Sequence, residues 1–242
     1  MNELHSKQPS PRKVVTLVPF KSNDPSRIAV WKAVQASWRT NVGIPIFIGQ
    51  ADPLEFNVSL ARNRAAKKAG NWDVAVILDA DTLISHQQVI EGINLAIKTG
   101  AVVYPYAERW ELNHEGTKMF LANPKSEWHQ HAKRHAWEHF GGCIIVTREL
   151  WDLVRGFDPG FVGWGHEDGA FLAACTTLSG KPFKRGKGRL FHLEHKPSTE
   201  KSPVHPTYIA NRKRMTRYTQ ATKQVNAPEL IRNLRDETIH IV

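Results

Sequence analysis

The stretch Val74-Ala75-Val76-Ile77-Leu78-Asp79-Ala80-Asp81-Thr82 constrains the fold more than any other part of the chain. It opens as an apolar run rich in β-branched residues, which suits a strand buried on both faces. Two carboxylates separated by one small residue then follow. A buried strand does not hold two unpaired charges, so Asp79 and Asp81 are expected just past its carboxyl end. That edge is where open α/β sheets bind ligands. Period-2 alternation would turn both carboxylates to one side and Ala80 to the other. Two hard oxygen donors on one side suit Mg²⁺ or Mn²⁺ holding a phosphate. A strand-terminating turn, with the Asp side chains capping backbone N–H groups, accounts for the same residues equally well.

The surrounding chain supplies a rhythm. Val14 to Phe20 reads as a strand. Ile28 to Trp38 reads as a helix with Ile28, Trp31, Val34 and Trp38 on one stripe, and Ile44 to Ile48 as a second short strand. Ser59 to Ala69 reads as a helix capped by Ser59 or Asn57 and closed by Gly70. After the Val74 strand come a helix from about His86 to Lys98, ended by Gly100, and a strand from Ala101 to Pro105. Strands alternating with helices imply an α/β fold with a parallel, doubly wound sheet. The rhythm breaks near Tyr106. Glu108 to His139 is polar and is expected to be a variable hairpin or loop region. Its histidines His129, His131, His135 and His139 lack ligand spacing and read as surface residues.

Phe140-Gly-Gly-Cys143 leads a strand to Val146, and Thr147 to Val154 is a short helix. Gly163-Trp-Gly-His-Glu-Asp168 precedes an apolar helix running to Leu178. Phe183 and Leu190-Phe191 belong to late strands, followed by His192-Leu-Glu-His195. Past Pro197 the chain is polar, with a helix near Tyr208 to Gln224 and a loosely held C-terminus expected.

The share of hydrophobic residues, 41%, with 23% charged, is that of a soluble globular protein. No apolar run approaches the roughly 20 residues that span a bilayer, and polar Met1 to Lys13 reads as a flexible N-terminus, neither signal peptide nor anchor. Cys143 and Cys175 lie in apolar surroundings and are expected as buried thiols of a reducing cytoplasm. The net charge of +10 is concentrated in Lys181 to Arg189 and Arg212 to Arg217. Such a surface attracts phosphorylated substrates, nucleic acid or anionic lipid, which leaves peripheral membrane contact open.

Three separated signals converge on one family. Ser59-Leu-Ala-Arg-Asn-Arg-Ala-Ala66 with Val76-Ile-Leu-Asp-Ala-Asp-Thr82 resembles the nucleotide-binding helix and DXD strand of the GT-A fold nucleotide-sugar glycosyltransferases. Phe140-Gly-Gly-Cys143 through Gly-Phe-Asp-Pro-Gly-Phe-Val-Gly-Trp-Gly-His-Glu-Asp168 resembles the C-terminal module of the β-1,4-galactosyltransferases, much of it shared with the polypeptide N-acetylgalactosaminyltransferases. The resemblance runs from about Val14 to Pro197. It implies a GT-A, Rossmann-like, mostly parallel sheet flanked by helices. Within it, 14–105 would be the nucleotide-sugar-binding half, 106–139 an acceptor-side loop region and 140–197 the catalytic half. A basic extension, 198–242, would follow.

The resemblance also implies roles. Asp81 matches the metal-ligating aspartate, and Asp79 the one nearer the ribose or metal-bound water. The remaining metal ligands would come from His192 and His195, and imidazole beside carboxylate suits Mn²⁺ better than Ca²⁺. Asp168 matches the catalytic base of an inverting transfer, with Glu167 beside it contacting sugar hydroxyls. Gly141 and Gly142 would let the donor sugar lie against the backbone, with Trp164 facing a pyranose. Pro19, Phe20, Lys21, Asp52, Phe56, Asn57 and Arg62 would line the nucleotide side, with Arg62 forking onto the diphosphate.

The expected protein is a metal-dependent enzyme using a nucleotide sugar, most simply a UDP-sugar, with Mn²⁺ or Mg²⁺. Gly169 stands where the galactosyltransferases carry a further acidic residue. Neither a secretory stem nor an anchor is evident, so a cytoplasmic, bacterial or phage-like enzyme is expected. The acceptor is left open among a glycan, a lipid-linked glycan and modified DNA. Two other classes share parts of the pattern: a catalytically silent nucleotide-sugar or carbohydrate-binding protein, and a nucleotidyltransferase. The second has no need of Gly163 to Asp168.

Overall fold

Strand β1 (Val14–Pro19), buried beyond its first residue, leads to helix α1 (Pro25–Asn41). Asp24 caps that helix by accepting from the N–H groups of Ser26 and Arg27, and Pro25 supplies the preset φ of a first turn. The computed structural model describes residues 12–51, 56–135, 139–196 and 202–241. Strand β2 (Ile46–Gly49) is followed by α2 (Val58–Ala69), which Asn57 caps through the Leu60 N–H. Ser59, the other candidate cap, lies inside that helix and is fully buried. Strand β3 (Val74–Leu78) is buried throughout, β4 (Thr82–Leu83) follows, and α3 (His86–Thr99) begins on Ser85 and closes on left-handed Gly100. Strand β5 (Val103–Tyr104) ends this half.

Strands β2, β1 and β3 pair in parallel, as the rhythm of the sequence predicts. Strand β8 (Cys143–Thr147) then runs antiparallel to both β3 and β5. Strand β9 (Lys184–Arg185) adds in parallel to β5, for an order of β2-β1-β3-β8-β5-β9. The sheet is therefore mostly parallel but mixed. Hydrophobic periodicity carries no strand direction, so the reversal was not visible in the residues. It matters for function, because the entry of β8 lies beside the exit of β3, with Leu78 opposite Cys143.

Of the stretch from Glu108 to His139, residues 108–135 are more ordered than their polarity predicts. They form strand β6 (Glu108–Leu112), helix α4 (His114–Ala122), a 3₁₀ turn at Trp128–His131 and strand β7 (Ala132–Arg134). With β10 (Arg189–His192) these make a second sheet of order β4-β10-β6-β7. The aromatics account for the order: Trp128 meets Phe120 at 5.4 Å and Phe191 at 5.1 Å, edge to face.

Helices α5 (Arg148–Val154) and α6 (Glu167–Ser179) complete the core, with Phe171 of α6 stacked on Phe157 at 4.0 Å. Helices α7 (Pro206–Ala221) and α8 (Ala227–Asp236) bury Tyr218, Ile231 and Leu234 in the same core. This corrects the expectation of a loosely held C-terminus. The tie is Asp158, buried, which accepts from Arg214 Nε at 2.8 Å, Tyr218 Oη at 2.7 Å and Thr238 Oγ1 at 2.7 Å. Partners so distant in sequence leave no local signature. Tyr218→Phe should cost about 1.5–3 kcal/mol, the range for a hydrogen bond to a charged group, read as a lower urea midpoint at unchanged slope. Cys143 and Cys175 are buried free thiols. Among the described residues no helix is long and apolar enough to cross a membrane.

Candidate functional site

Strand β3 ends at Leu78, and the chain turns: Asp79 O accepts from Thr82 N at 3.3 Å and from Thr82 Oγ1 at 3.0 Å. Alternation does not survive a turn, so the two aspartates part company instead of sharing one side. Asp79 Oδ1 accepts from Arg62 Nη2 at 2.8 Å, and its Oδ2 accepts from Gly142 N at 3.1 Å. Asp81 Oδ2 lies 2.8 Å from His195 Nε2 and 3.7 Å from His192 Nε2.

Asp81, His192 and His195 each offer one ligand atom, and these atoms lie within 4.8 Å of one another. Antiparallel pairing of β10 with β4 sets His192 opposite Thr82, and Leu193 N donates to Asp81 O at 2.8 Å. The far side of each ring is also fixed. His192 Nδ1 meets Glu111 Oε2 at 2.7 Å, and His195 Nδ1 meets the Lys196 carbonyl at 2.9 Å. Each Nδ1 thus has an oxygen acceptor behind it, and each Nε2 faces Asp81. Burial works against charge on His192, but Asp81 and then Glu111 outweigh it and raise its pKa to about 9. Burial likewise opposes ionisation of Asp81, and the two histidines hold it well below the ordinary carboxylate range. Two imidazoles and one carboxylate with fixed outer hydrogen bonds fit a first-row divalent ion. Asp79, also expected as a ligand, is turned to Arg62 and Gly142 instead.

Arg62 is 1% exposed. Its Nη1 donates to Asp168 Oδ1 at 2.7 Å, Glu167 Oε1 stands 3.6 Å away, and the Phe157 ring lies 4.5 Å from its guanidinium carbon. Burial disfavours its charge, but Asp168, Asp79 and Glu167 together raise its pKa. The expected fork onto a diphosphate is thus replaced by a fork onto carboxylates. A surface-facing pattern on α2 could not reveal this, because its partners come from β3 and α6.

Burial, only partly opposed by Arg62, pushes the Asp168 carboxyl up to about 8, with the charges of Glu167 and Asp79 adding to the rise. Burial also raises Glu167, against the pull of Arg62. Gly141 makes room for Asp168 and His139: a Cβ there would come within 2.4 Å of Asp168 Oδ2 and 3.0 Å of His139 Nε2. Gly142 has φ +81°, and a Cβ there would meet Leu190 and Thr82. The diglycine therefore adjoins Asp168 through Gly141 and Thr82, the neighbour of Asp81, through Gly142. The turn before α6 is wound tightly, with positive φ at Gly163, Gly165 and His166. A left-handed histidine is sparsely populated and such strain gathers at functional sites. Trp164, 41% exposed, stacks on Tyr208 of α7 at 5.8 Å and 15°.

On the expected nucleotide side, Phe20 rests against Trp31 at 5.6 Å, and exposed Lys21 reaches the Ala51 carbonyl at 3.4 Å. Pro19 is buried at the end of β1, and Phe56 packs on Ala51, Leu60 and Ala61. Asn57 is buried and occupied, capping α2 and donating to Pro159 O at 2.7 Å. Asp52 lies outside the described residues.

Sequence reasoning missed Arg109, Glu111 and His139. Arg109 Nη1 lies 2.6 Å from His139 Nε2, and its Nε 2.8 Å from Glu111 Oε1. Burial and Arg109 press the His139 pKa to about 3, so this ring is neutral. The only available signal was the i, i+2 spacing of Arg109 and Glu111, which carries meaning once β6 is known to be a strand.

Residues 123–196 match the family described as the N-terminal domain of galactosyltransferase. Comparison with curated proteins found no match. Among solved structures, the catalytic domain of Drosophila β1,4-galactosyltransferase 7 with xylobiose is similar at TM-score 0.53 and 18% identity, covering 83% of this chain and 79% of that one. A mutant of the same enzyme, in complex with manganese, UDP-Gal and xylobiose, gives TM-score 0.51 at 18% identity over 82% and 79%. Glucosyl-3-phosphoglycerate synthase from Mycobacterium tuberculosis gives TM-score 0.46 at 12% identity over 87% and 79%. The galactosyltransferase match and the shared fold together support a nucleotide-sugar glycosyltransferase of the GT-A type.

Proposed function

We propose that this protein transfers a sugar from a UDP-sugar to an acceptor hydroxyl with inversion, using Mn²⁺ or Mg²⁺ held by Asp81, His192 and His195. One observation carries the proposal: Asp81, His192 and His195 bring three ligand atoms within 4.8 Å of one another, and of the diglycine nearby, Gly141 stands against the buried carboxyl of Asp168 and Gly142 against Thr82, the neighbour of Asp81. The Drosophila enzyme of the same fold, crystallised with manganese and UDP-Gal, supports the choice of metal and donor.

When bound, the ion offsets the charge that develops on the leaving diphosphate. Arg62 grips Asp168 Oδ1, which leaves Oδ2 at Gly141 to act. Asp168 Oδ2 takes the proton of the acceptor hydroxyl as that oxygen attacks the anomeric carbon. The bond from that carbon to the UDP oxygen breaks with its electron pair, and Asp168 is left as the acid. A carboxyl near 8 is a strong enough base for the task and still ionises near neutral pH. The exposed Trp164, backed by Tyr208, gives the acceptor side an aromatic surface of the kind that stacks on pyranose C–H groups and on nucleobases alike.

Calorimetry of UDP with and without Mn²⁺ tests the reading. Asp81→Ala should remove the metal-dependent part of the affinity, a loss larger than the roughly 10–100-fold typical of losing a ligand's supporting partner. A protein that neither binds nor cleaves any UDP- or GDP-sugar with Mn²⁺ present, and is indifferent to Asp81→Ala, would not have this function.

A further inference from the structure

We propose that Glu111 is the positioning residue of the metal centre, holding the His192 ring so that Nε2 faces the ion. The inference rests on the metal-dependent reading above and extends it to a residue outside the ligand set. Strands β6 and β10 run parallel with Glu111 in register with His192, so the two side chains leave the second sheet on one face. Glu111 Oε2 lies 2.7 Å from His192 Nδ1, and the opposite ring nitrogen lies 3.7 Å from Asp81 Oδ2. Glu111 is itself anchored, since Arg109 Nε meets its other oxygen at 2.8 Å. Arg109 also reaches His139 Nε2 at 2.6 Å, and His139 stands with Asp168 around Gly141. One face of β6 thus braces both halves of the site. Among the described residues, His195 Nδ1 has the carbonyl of Lys196 behind it and no carboxylate. Glu111 is therefore the sole carboxylate among the described residues that holds the far nitrogen of a ligand histidine.

Mn²⁺ binding, followed by electron paramagnetic resonance of the free ion, separates positioning from a general effect on the fold. Glu111→Ala should weaken Mn²⁺ affinity by about 10–100-fold, as loss of an outer hydrogen bond to a ligand histidine does. Glu111→Gln keeps an oxygen acceptor for Nδ1–H and should stay within a few-fold of wild type. In a His192→Ala background, Glu111→Ala should add nothing further, because the ring it positions is gone. Wild-type affinity in Glu111→Ala, equal weakening in Glu111→Gln, or full additivity with His192→Ala would each overturn the proposal. Asp81→Ala distinguishes this from failure of the broader reading. If Asp81→Ala abolishes Mn²⁺ binding and Glu111→Ala does not weaken it, only the positioning role falls. If the wild-type protein binds no Mn²⁺, both fall.

Discussion

Asp168→Asn should lower kcat by about 10²–10⁴-fold, the range for loss of general-base assistance, while UDP and Mn²⁺ affinities stay at wild-type levels. Asparagine is nearly isosteric, and its carbonyl oxygen still accepts from Arg62 Nη1, so the loop at Gly163 to His166 keeps its support. What is lost is the ability of the group beside Gly141 to take a proton. Because the interaction counts only in the transition state, kcat and kcat/KM should fall together. The wild-type pH profile carries the same signature. Burial raises the Asp168 carboxyl to about 8, and only the ionised form accepts a proton. Hence kcat/KM should climb with pH through about 8 and level off above it, and this limb should vanish from the residual activity of the variant. Retained turnover, or donor binding lost in proportion to turnover, would remove Asp168 from its assigned role.

Much of this site was legible before the fold was known, and the failures have a common cause. The strand at Val74, the cap at Asn57 and the closures at Gly70 and Gly100 are local, because each depends on residues within a turn of one another. The grouping of Asp81 with His192 and His195 came from a family resemblance, and the pairing of β4 with β10 accounts for it physically. Asp79 was misdirected because alternation was carried past the last strand residue into a turn. Arg62, Glu111 and His139 were misjudged or overlooked because their meaning lies across the fold. Arg62 meets partners 17 and 106 residues away, and Glu111, on a strand that polarity had concealed, faces a histidine of β10. Local chemistry names the groups that can act, and the tertiary pairing decides which of them hold the others in place.

That distinction is sharpest at Arg62, for which the two roles predict different losses. If its guanidinium served the diphosphate, Arg62→Met would weaken UDP binding and leave stability almost unchanged. Instead Arg62 is 1% exposed and its two terminal nitrogens are taken by Asp79 and Asp168, with Glu167 close by. Removing one partner of a buried charge cluster leaves the others uncompensated, at about 3–5 kcal/mol. For a chain of this size each kcal/mol shifts Tm by roughly 2–4 °C, so Arg62→Met should melt on the order of 10 °C lower. Arg62→Lys keeps the charge without the fork and should fall between. The deficit should also depend on pH. With Arg62 present, burial already holds Asp168 and Glu167 above their unfolded range, and without it both rise further. The deficit against wild type therefore grows as pH rises through about 8, where wild-type Asp168 ionises and the variant's does not, and shrinks on acidification. Asp168 would be displaced further upward, because Arg62 is what pulls it down. The rising limb of kcat/KM should therefore move to higher pH in whatever fraction remains folded. A variant that melts normally but binds UDP weakly would return Arg62 to the diphosphate, and would leave Asp168 without its organiser.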